Sequence, residues 1–352
     1  MKKLLPYVTQ HLNGPVLLTG HTGFKGTWMT LLLEELGVEV VGVSLPPEEN
    51  SLFCFAERQD KIKEYFVDIR ELESLEKIVN ETKPSAVIHF AAQSLVLNSY
   101  EHIHSTFSTN VMGTANILEA SLKQQSVKAI IVATTDKVYL NQELKNAFKE
   151  NDALQGTDPY SCSKVGAESV IAGWRQYVKY FGGPPITSVR SGNVIGGGDT
   201  AENRLLPDMV RGLNAQREIA IRNPDSTRPW QHVLDPLFGY LLTLEKLLSN
   251  QDIEAMNFGP NGKALSVKEV VEIACSSWSN SPKIKYLKEK DSLETNFLHL
   301  DSTLARNTLG WTPFYSQENA VTSTMNWWKE FLTNQKTASE LCMKEIKQFL
   351  TR

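Results

Sequence analysis

The stretch Pro15 to Trp28, PVLLTGHTGFKGTW, decides the fold. Its first six residues form a short β-rich run, and a helical pattern extends from Phe24 to about Leu36. Between them stand Gly20, Gly23 and Gly26, with His21, Thr22, Phe24 and Lys25 filling the GxxGxxG loop. Glycines there let the backbone turn tightly and approach a pyrophosphate, which then rests on the N-terminus of the following helix. Alone, three spaced glycines could mark only a tight turn. A strand before and a helix after favour a dinucleotide site.

Working outward, further strand-like runs follow at 38–44 (VEVVGVS), 64–69 (EYFVDI), 85–92 (SAVIHFAA), 128–135 (KAIIVATT) and 185–196 (PITSVRSGNVIG). Amphipathic stretches around 71–80 and 105–124, and a helical segment after Tyr160, lie between them. Near-continuous apolar strands joined by helices predict an α/β fold, a Rossmann-type doubly wound parallel sheet with both faces covered. From about residue 196 the rhythm breaks into segments richer in Gly, Pro, Arg and Trp. The expectation is a dinucleotide-binding domain over 1–190, with a smaller, interleaved substrate-binding lobe over 191–352. Segments near 230–260 are expected to return to the first domain.

The chain has 352 residues, 41% hydrophobic and 22% charged, with a net charge of −4. That balance argues against a nucleic-acid partner. The N-terminal apolar stretch is too short for a secretion signal, and no run of about eighteen apolar residues occurs to span a membrane. Cys54, Cys162, Cys275 and Cys342 lie far apart without CxxC spacing, which reads as reduced thiols in a cytoplasmic protein and not as a metal site.

Several strand ends carry candidate ligands. Asp68 and Ile69 close the third strand, where an Asp accepts from an adenine amino group or, equally, caps the next helix. Phe-Ala-Ala-Gln at 90–93 ends the fourth with Ala91 and Ala92, small enough for a cofactor to lie close. Ser44 stands where a ribose-binding acid would, and Glu48 and Glu49 come only after two prolines, so NAD versus NADP stays open. Tyr160 and Lys164, at i and i+4, share one helix face. An ammonium beside the phenol, with a cationic nicotinamide, would lower the phenol pKa and make Tyr160 a base for a sugar hydroxyl.

GxxGxxG, the strand-end Thr135 and YxxxK together resemble the extended short-chain dehydrogenase/reductase family. Thr135-Asp136-Lys137, with RSGNVIGGGD, RNP, RPWQHV and NFGP, is most similar to its CDP-glucose 4,6-dehydratase branch, over about residues 15–315. The resemblance implies an enzyme with bound NAD that oxidises C4 of a nucleotide-linked hexose, eliminates water across C5–C6 and returns the hydride to C6. It implies that Tyr160 takes the C4 hydroxyl proton, Lys164 holds the ribose, and Thr135 binds the C4 oxygen. Asp136 is the candidate acid, weakened by the neighbouring ammonium, and Lys137 the candidate C5 base or enolate stabiliser. Gln93, Asn193, Arg204 and Arg228 are the implied substrate ligands, Arg228 for the diphosphate. His232 is open between site and core, and Trp230 reads as packing. A homodimer is implied, through helices near 105–124 and 160–180.

Three other readings share these residues. One is a 4,6-dehydratase of a GDP- or UDP-linked hexose or N-acetylhexosamine. Another is a sugar-nucleotide 4-epimerase, which needs neither acid nor base at 136 and 137. The third is a non-catalytic NAD-binding regulator, which would have no use for both Tyr160 and Lys164.

Overall fold

The computed structural model describes residues 9–141, 146–278, 282–287 and 297–351. The opening residues 1–8, within the stretch read as too short for a secretion signal, lie outside the described residues. Seven strands build the central sheet: β1 (Val16–Thr19), β2 (Val40–Ser44), β3 (Lys63–Phe66), β4 (Ala86–His89), β5 (Ala129–Ala133), β6 (Ile186–Ser191) and β7 (Ala255–Phe258). Their order is β7-β6-β5-β4-β1-β2-β3, and every pairing is parallel. The order reverses at β1 and β4, the place where open α/β sheets hold ligands.

Five helices matter for the site: α1 (Phe24–Glu35), α2 (Leu72–Thr82), α3 (Gly113–Leu122), α4 (Pro159–Phe181) and α5 (Leu234–Leu248). Strand side chains alternate between two cores. Leu17, Val41, Val43, Val87, Ile130 and Val132 pack with α2, α3 and α4. Val16, Leu18, Val40, Ile88, Ile131 and Val189 pack with α1 and α5. Strands covered on both faces explain the apolar runs, because no position of a central strand meets water.

Beyond β6 the chain forms short ribbons, Val194–Ile195 with Gln231–His232 and Ile219–Arg222 with Ile284–Leu287. It then re-enters the sheet, since α5 belongs to the α1-side core and β7 pairs with β6. The expected helix over 105–124 is not continuous: Ile103–Phe107 is α-helical, Ser108–Met112 is a π-turn, and α3 follows.

The strands expected to reach residues 69, 92 and 135 leave their ladders at Phe66, His89 and Ala133. The polar residues beyond them, at the C-terminal edge of the sheet, are thereby freed to line the crevice. All four thiols are unpaired. No helix among the described residues is long and apolar enough to cross a membrane.

Candidate active site

The glycine loop forms a cradle that side chains would fill. Gly20 has φ +74°, and a Cβ on it would sit 2.7 Å from the Ala91 nitrogen. A Cβ on Gly26 would sit 2.0 Å from the Gly20 carbonyl oxygen. Gly23 begins α1 with no side-chain cap, and no acid stands in the first turn. The positive end of the helix therefore faces the crevice unopposed. Thr22 shares a 2.8 Å hydrogen bond with Ser44, so Ser44 ties the loop to the end of β2. Thr19 Oγ1 accepts from the backbone of Phe90 and Ala91, holding the Ala91-Ala92 segment against Gly20. These features fit a dinucleotide pyrophosphate.

The third-strand candidates behave differently. The N-cap of α2 is Glu71, so the capping alternative for Asp68 is corrected. Its carboxylate accepts from the Arg70 backbone at 2.9 Å and pairs with the Arg70 guanidinium at 2.6 Å. Those bonds hold it below the ordinary carboxylate range. Ile69 is buried in the core, where its side chain occupies the space that a Cβ on Gly113 would need.

Asp158 starts α4 with a capping box to Ser161, and Pro159 presets the first turn. That start places Tyr160 in the first turn and Lys164 one turn on, on the buried face. Opposite them, the end of β5 turns sharply. Thr135 caps a 3₁₀ turn over Asp136–Val138, accepting from the Lys137 backbone and donating to Asp136 Oδ1 at 3.0 Å. Adjacent strand residues would point to opposite faces; the turn keeps the Lys137 charge close enough to act on Asp136.

Electrostatics here correct one expectation. Burial pushes Asp136 up to about 6, outweighing the lowering by Lys137, Thr135, Arg228 and Lys25. It is thus a stronger candidate acid than the neighbouring ammonium alone suggests. Its Oδ2 is buried without a hydrogen-bond partner among the described residues. Burial also pushes Tyr160 up to about 12, and the groups that lower it are Thr135 and Arg204. Lys164 lies one turn beyond Tyr160 on α4, and its ammonium donates to the Ala133 carbonyl at 3.0 Å. Burial brings Lys164 down to about 8, against the raising effect of Glu168.

Cations from distant segments converge on Asp136 and Tyr160. Lys25 reaches Ser191 Oγ at 3.2 Å, and burial lowers it to about 8, helped by the charges of Arg204 and Lys164. Arg204 pairs with Asp199 at 2.9 Å and acts electrostatically on Tyr160. Arg228 is buried close enough to lower the Asp136 pKa.

The remaining candidates divide. Gln93 spends its side chain on Leu95 and Thr106, bracing the loop. Asn193 accepts the Gln231 backbone N–H through its backbone carbonyl. His232 is core: fully buried, stacked on Tyr315 at 4.2 Å and 3.1 Å from Glu345. Trp230 is buried, donating to the Leu265 carbonyl.

Sequence reasoning missed Asn110, Ser163, Ser191 and Tyr240. Asn110 binds the Gln93 backbone and donates to Ser163 at 2.8 Å. Tyr240 donates to Ser191 at 2.7 Å. Only Ser163 carried any signal, lying inside the YxxxK motif.

Residues 17–324 match the family model described as GDP-mannose 4,6 dehydratase. The chain is 38% identical to the CDP-glucose 4,6-dehydratase of Salmonella typhimurium over 348 residues, 96% of each. It is 30% identical to the UDP-glucose 4-epimerase of Halalkalibacterium halodurans, covering 90% of this chain and 96% of that one. Among solved structures, dTDP-glucose 4,6-dehydratase from Bacillus anthracis in complex with NAD has the same fold, with a TM-score of 0.76 at 24% identity. That likeness covers 90% of this chain and 97% of the other.

Proposed function

Because the chain belongs to the GDP-mannose 4,6-dehydratase family, among the extended short-chain dehydrogenase/reductases, we propose that it is an NAD-dependent nucleotide-sugar 4,6-dehydratase acting on CDP-glucose. The observation that carries this reading is Asp136. A buried carboxyl near 6, with one oxygen unpartnered among the described residues and close enough to Tyr160 to act on its phenol, is the acid that an elimination needs. A 4-epimerase has no use for it. The relative sharing 38% identity supports CDP-glucose as the substrate.

NAD, when bound, supplies the hydride acceptor for C4 and the donor for C6. Gly20, Thr22, Gly23, Phe24, Lys25 and Gly26 hold its pyrophosphate at the start of α1, with Ala91 and Ala92 as the opposite wall. Lys164 orients its ribose. Tyr160 takes the C4 hydroxyl proton, and Thr135, hydrogen-bonded to it, steadies the C4 oxygen. A phenol raised by burial becomes a usable base only with cations near, and Arg204 supplies one. The resulting ketone acidifies C5–H. Lys137, as a free amine, then takes the C5 proton and as an ammonium offsets the enolate charge, while Asp136 protonates the departing C6 hydroxyl, which leaves as water. The lobe built mainly from 191–352 holds the nucleotide diphosphate, with Asn193, Arg204 and Arg228 lining its approach.

A homodimer fits the apolar surface of the helices over 103–122 and 159–181. Ile103 is 52% exposed, Met112 55%, Tyr180 76% and Phe181 75%. Four unpaired thiols suit a reducing cytoplasm.

The test is incubation of the purified protein with CDP-glucose, following the alkaline absorbance of a 4-keto-6-deoxy product. Product without net NADH build-up is expected. A C4 epimer, or turnover confined to GDP- or UDP-sugars, would overturn the reaction or the substrate respectively.

A further inference from the structure

Glu168 lies one turn beyond Lys164 on α4 and is buried. Its carboxylate collects three donors. Thr134 Oγ1 donates to Oε1 at 2.6 Å, Arg190 Nε to the same oxygen at 2.8 Å, and Arg190 Nη2 to Oε2 at 2.8 Å. Arg190 Nη1 continues to Tyr139 Oη at 2.8 Å and to the Glu150 carbonyl at 2.9 Å. Tyr139 donates to Asn257 Oδ1 at 2.7 Å, and the guanidinium lies over the Tyr139 ring, 5.1 Å from its centroid.

The placement of these partners matters more than their number. Thr134 and Tyr139 are the residues immediately before and after the Thr135–Val138 turn. The pair therefore grips both flanks of the segment carrying Thr135, Asp136 and Lys137. It refers that segment to the helix carrying Tyr160 and Lys164, and through Arg190 and Asn257 to β6 and β7. A buried ion pair contributes little net stability, because desolvation offsets most of the attraction. What such a pair does well is hold two elements in one register. Reacting groups need placement to within about 0.5 Å, and a shift of about 1 Å costs roughly a hundredfold in rate.

We infer that the buried Glu168–Arg190 pair is a positioning device that sets the Thr135–Lys137 turn against Tyr160 and Lys164. The kinetic consequence rests on the dehydratase reading; the geometric one does not.

The test uses Glu168→Leu/Arg190→Met, which removes the pair without leaving a lone buried charge. Two readouts are taken on the NAD-loaded protein. Amide hydrogen exchange over residues 135–139 should quicken at least about tenfold while the other strands keep their protection. With CDP-glucose, kcat should fall about 30-fold or more with KM within about threefold, as lost placement requires.

Unchanged exchange in the turn, or a kcat within about threefold of wild type, would overturn the inference. Should the paired variant not fold, Thr134→Val severs one flank alone. Faster exchange in the turn and a kcat about fivefold or more below wild type are then expected, and no change in either overturns it. A wild-type protein that turns over no nucleotide sugar would sink the dehydratase reading, while the exchange data would still judge the positioning claim.

Discussion

Replacing Asp136 by Asn should make the protein more stable and nearly inactive at once. Folding moves this carboxyl from 3.8 to about 6, chiefly by burial. Two units or so, at about 1.4 kcal/mol each, come to ~3 kcal/mol of stability forgone by burying the charge.

The sign follows from proton binding. The folded carboxyl holds its proton more tightly than the unfolded one, so the penalty is absent below the unfolded value. It grows as pH rises from 3.8 towards about 6 and is complete above that. Asn carries no charge, and its Oδ1 still accepts from Thr135. Asp136→Asn should therefore gain ~3 kcal/mol at neutral pH and little near pH 4. Turnover should drop by ~10²–10⁴, the usual contribution of a general acid, because nothing protonates the C6 hydroxyl.

Urea unfolding at both pH values, with the product assay alongside, measures both effects. A variant no more stable than wild type at neutral pH, or one retaining kcat within about tenfold, would refute the reasoning.

Gly26→Ala should lose NAD affinity by at least about tenfold in calorimetric titration and destabilise by ~1–3 kcal/mol, since its Cβ would lie 2.0 Å from the Gly20 oxygen. Tyr160→Phe should cut kcat ~10²–10⁴-fold, while its thermal midpoint moves little, the loss being confined to the hydrogen bond with Thr135. On the homodimer proposed above, Met112→Glu, placing a charge on a 55% exposed methionine, should leave a monomer mass in light scattering where the wild type gives a dimer, without altering the circular dichroism.

How far the site could be read in advance depended on how local each signal was. The glycine loop was legible because its cause is local: a backbone turn between a strand and a helix demands Gly20 and Gly26 wherever the rest of the chain lies. The helical register that puts Tyr160 and Lys164 on one face is local too. Asp68 misled as a possible cap because its carboxylate had a closer partner two residues on, Arg70, whose side-chain direction no spacing rule specifies. The break at Ser108–Met112 left no mark in the hydrophobic periodicity, which spans a π-turn as readily as an α-turn.

From the sequence alone came the doubly wound α/β class and the cradle for a dinucleotide, which follow from short-range geometry and apolar periodicity that a linear chain carries explicitly. The candidate reacting side chains around Thr135 and Tyr160 came from the resemblance to the short-chain dehydrogenase/reductase family. Only the tertiary structure decided the protonation behaviour of those side chains. Desolvation is a property of everything packed around a group. Lys137 is adjacent in the chain, yet the burial of Asp136 outweighs it and raises the acid. The convergence of Lys25 and Arg228 on that acid and of Arg204 on Tyr160, and the grip of Glu168 and Arg190 on the turn that presents the acid, bring together residues far apart in the chain. Such contacts exist only once the sheet has closed.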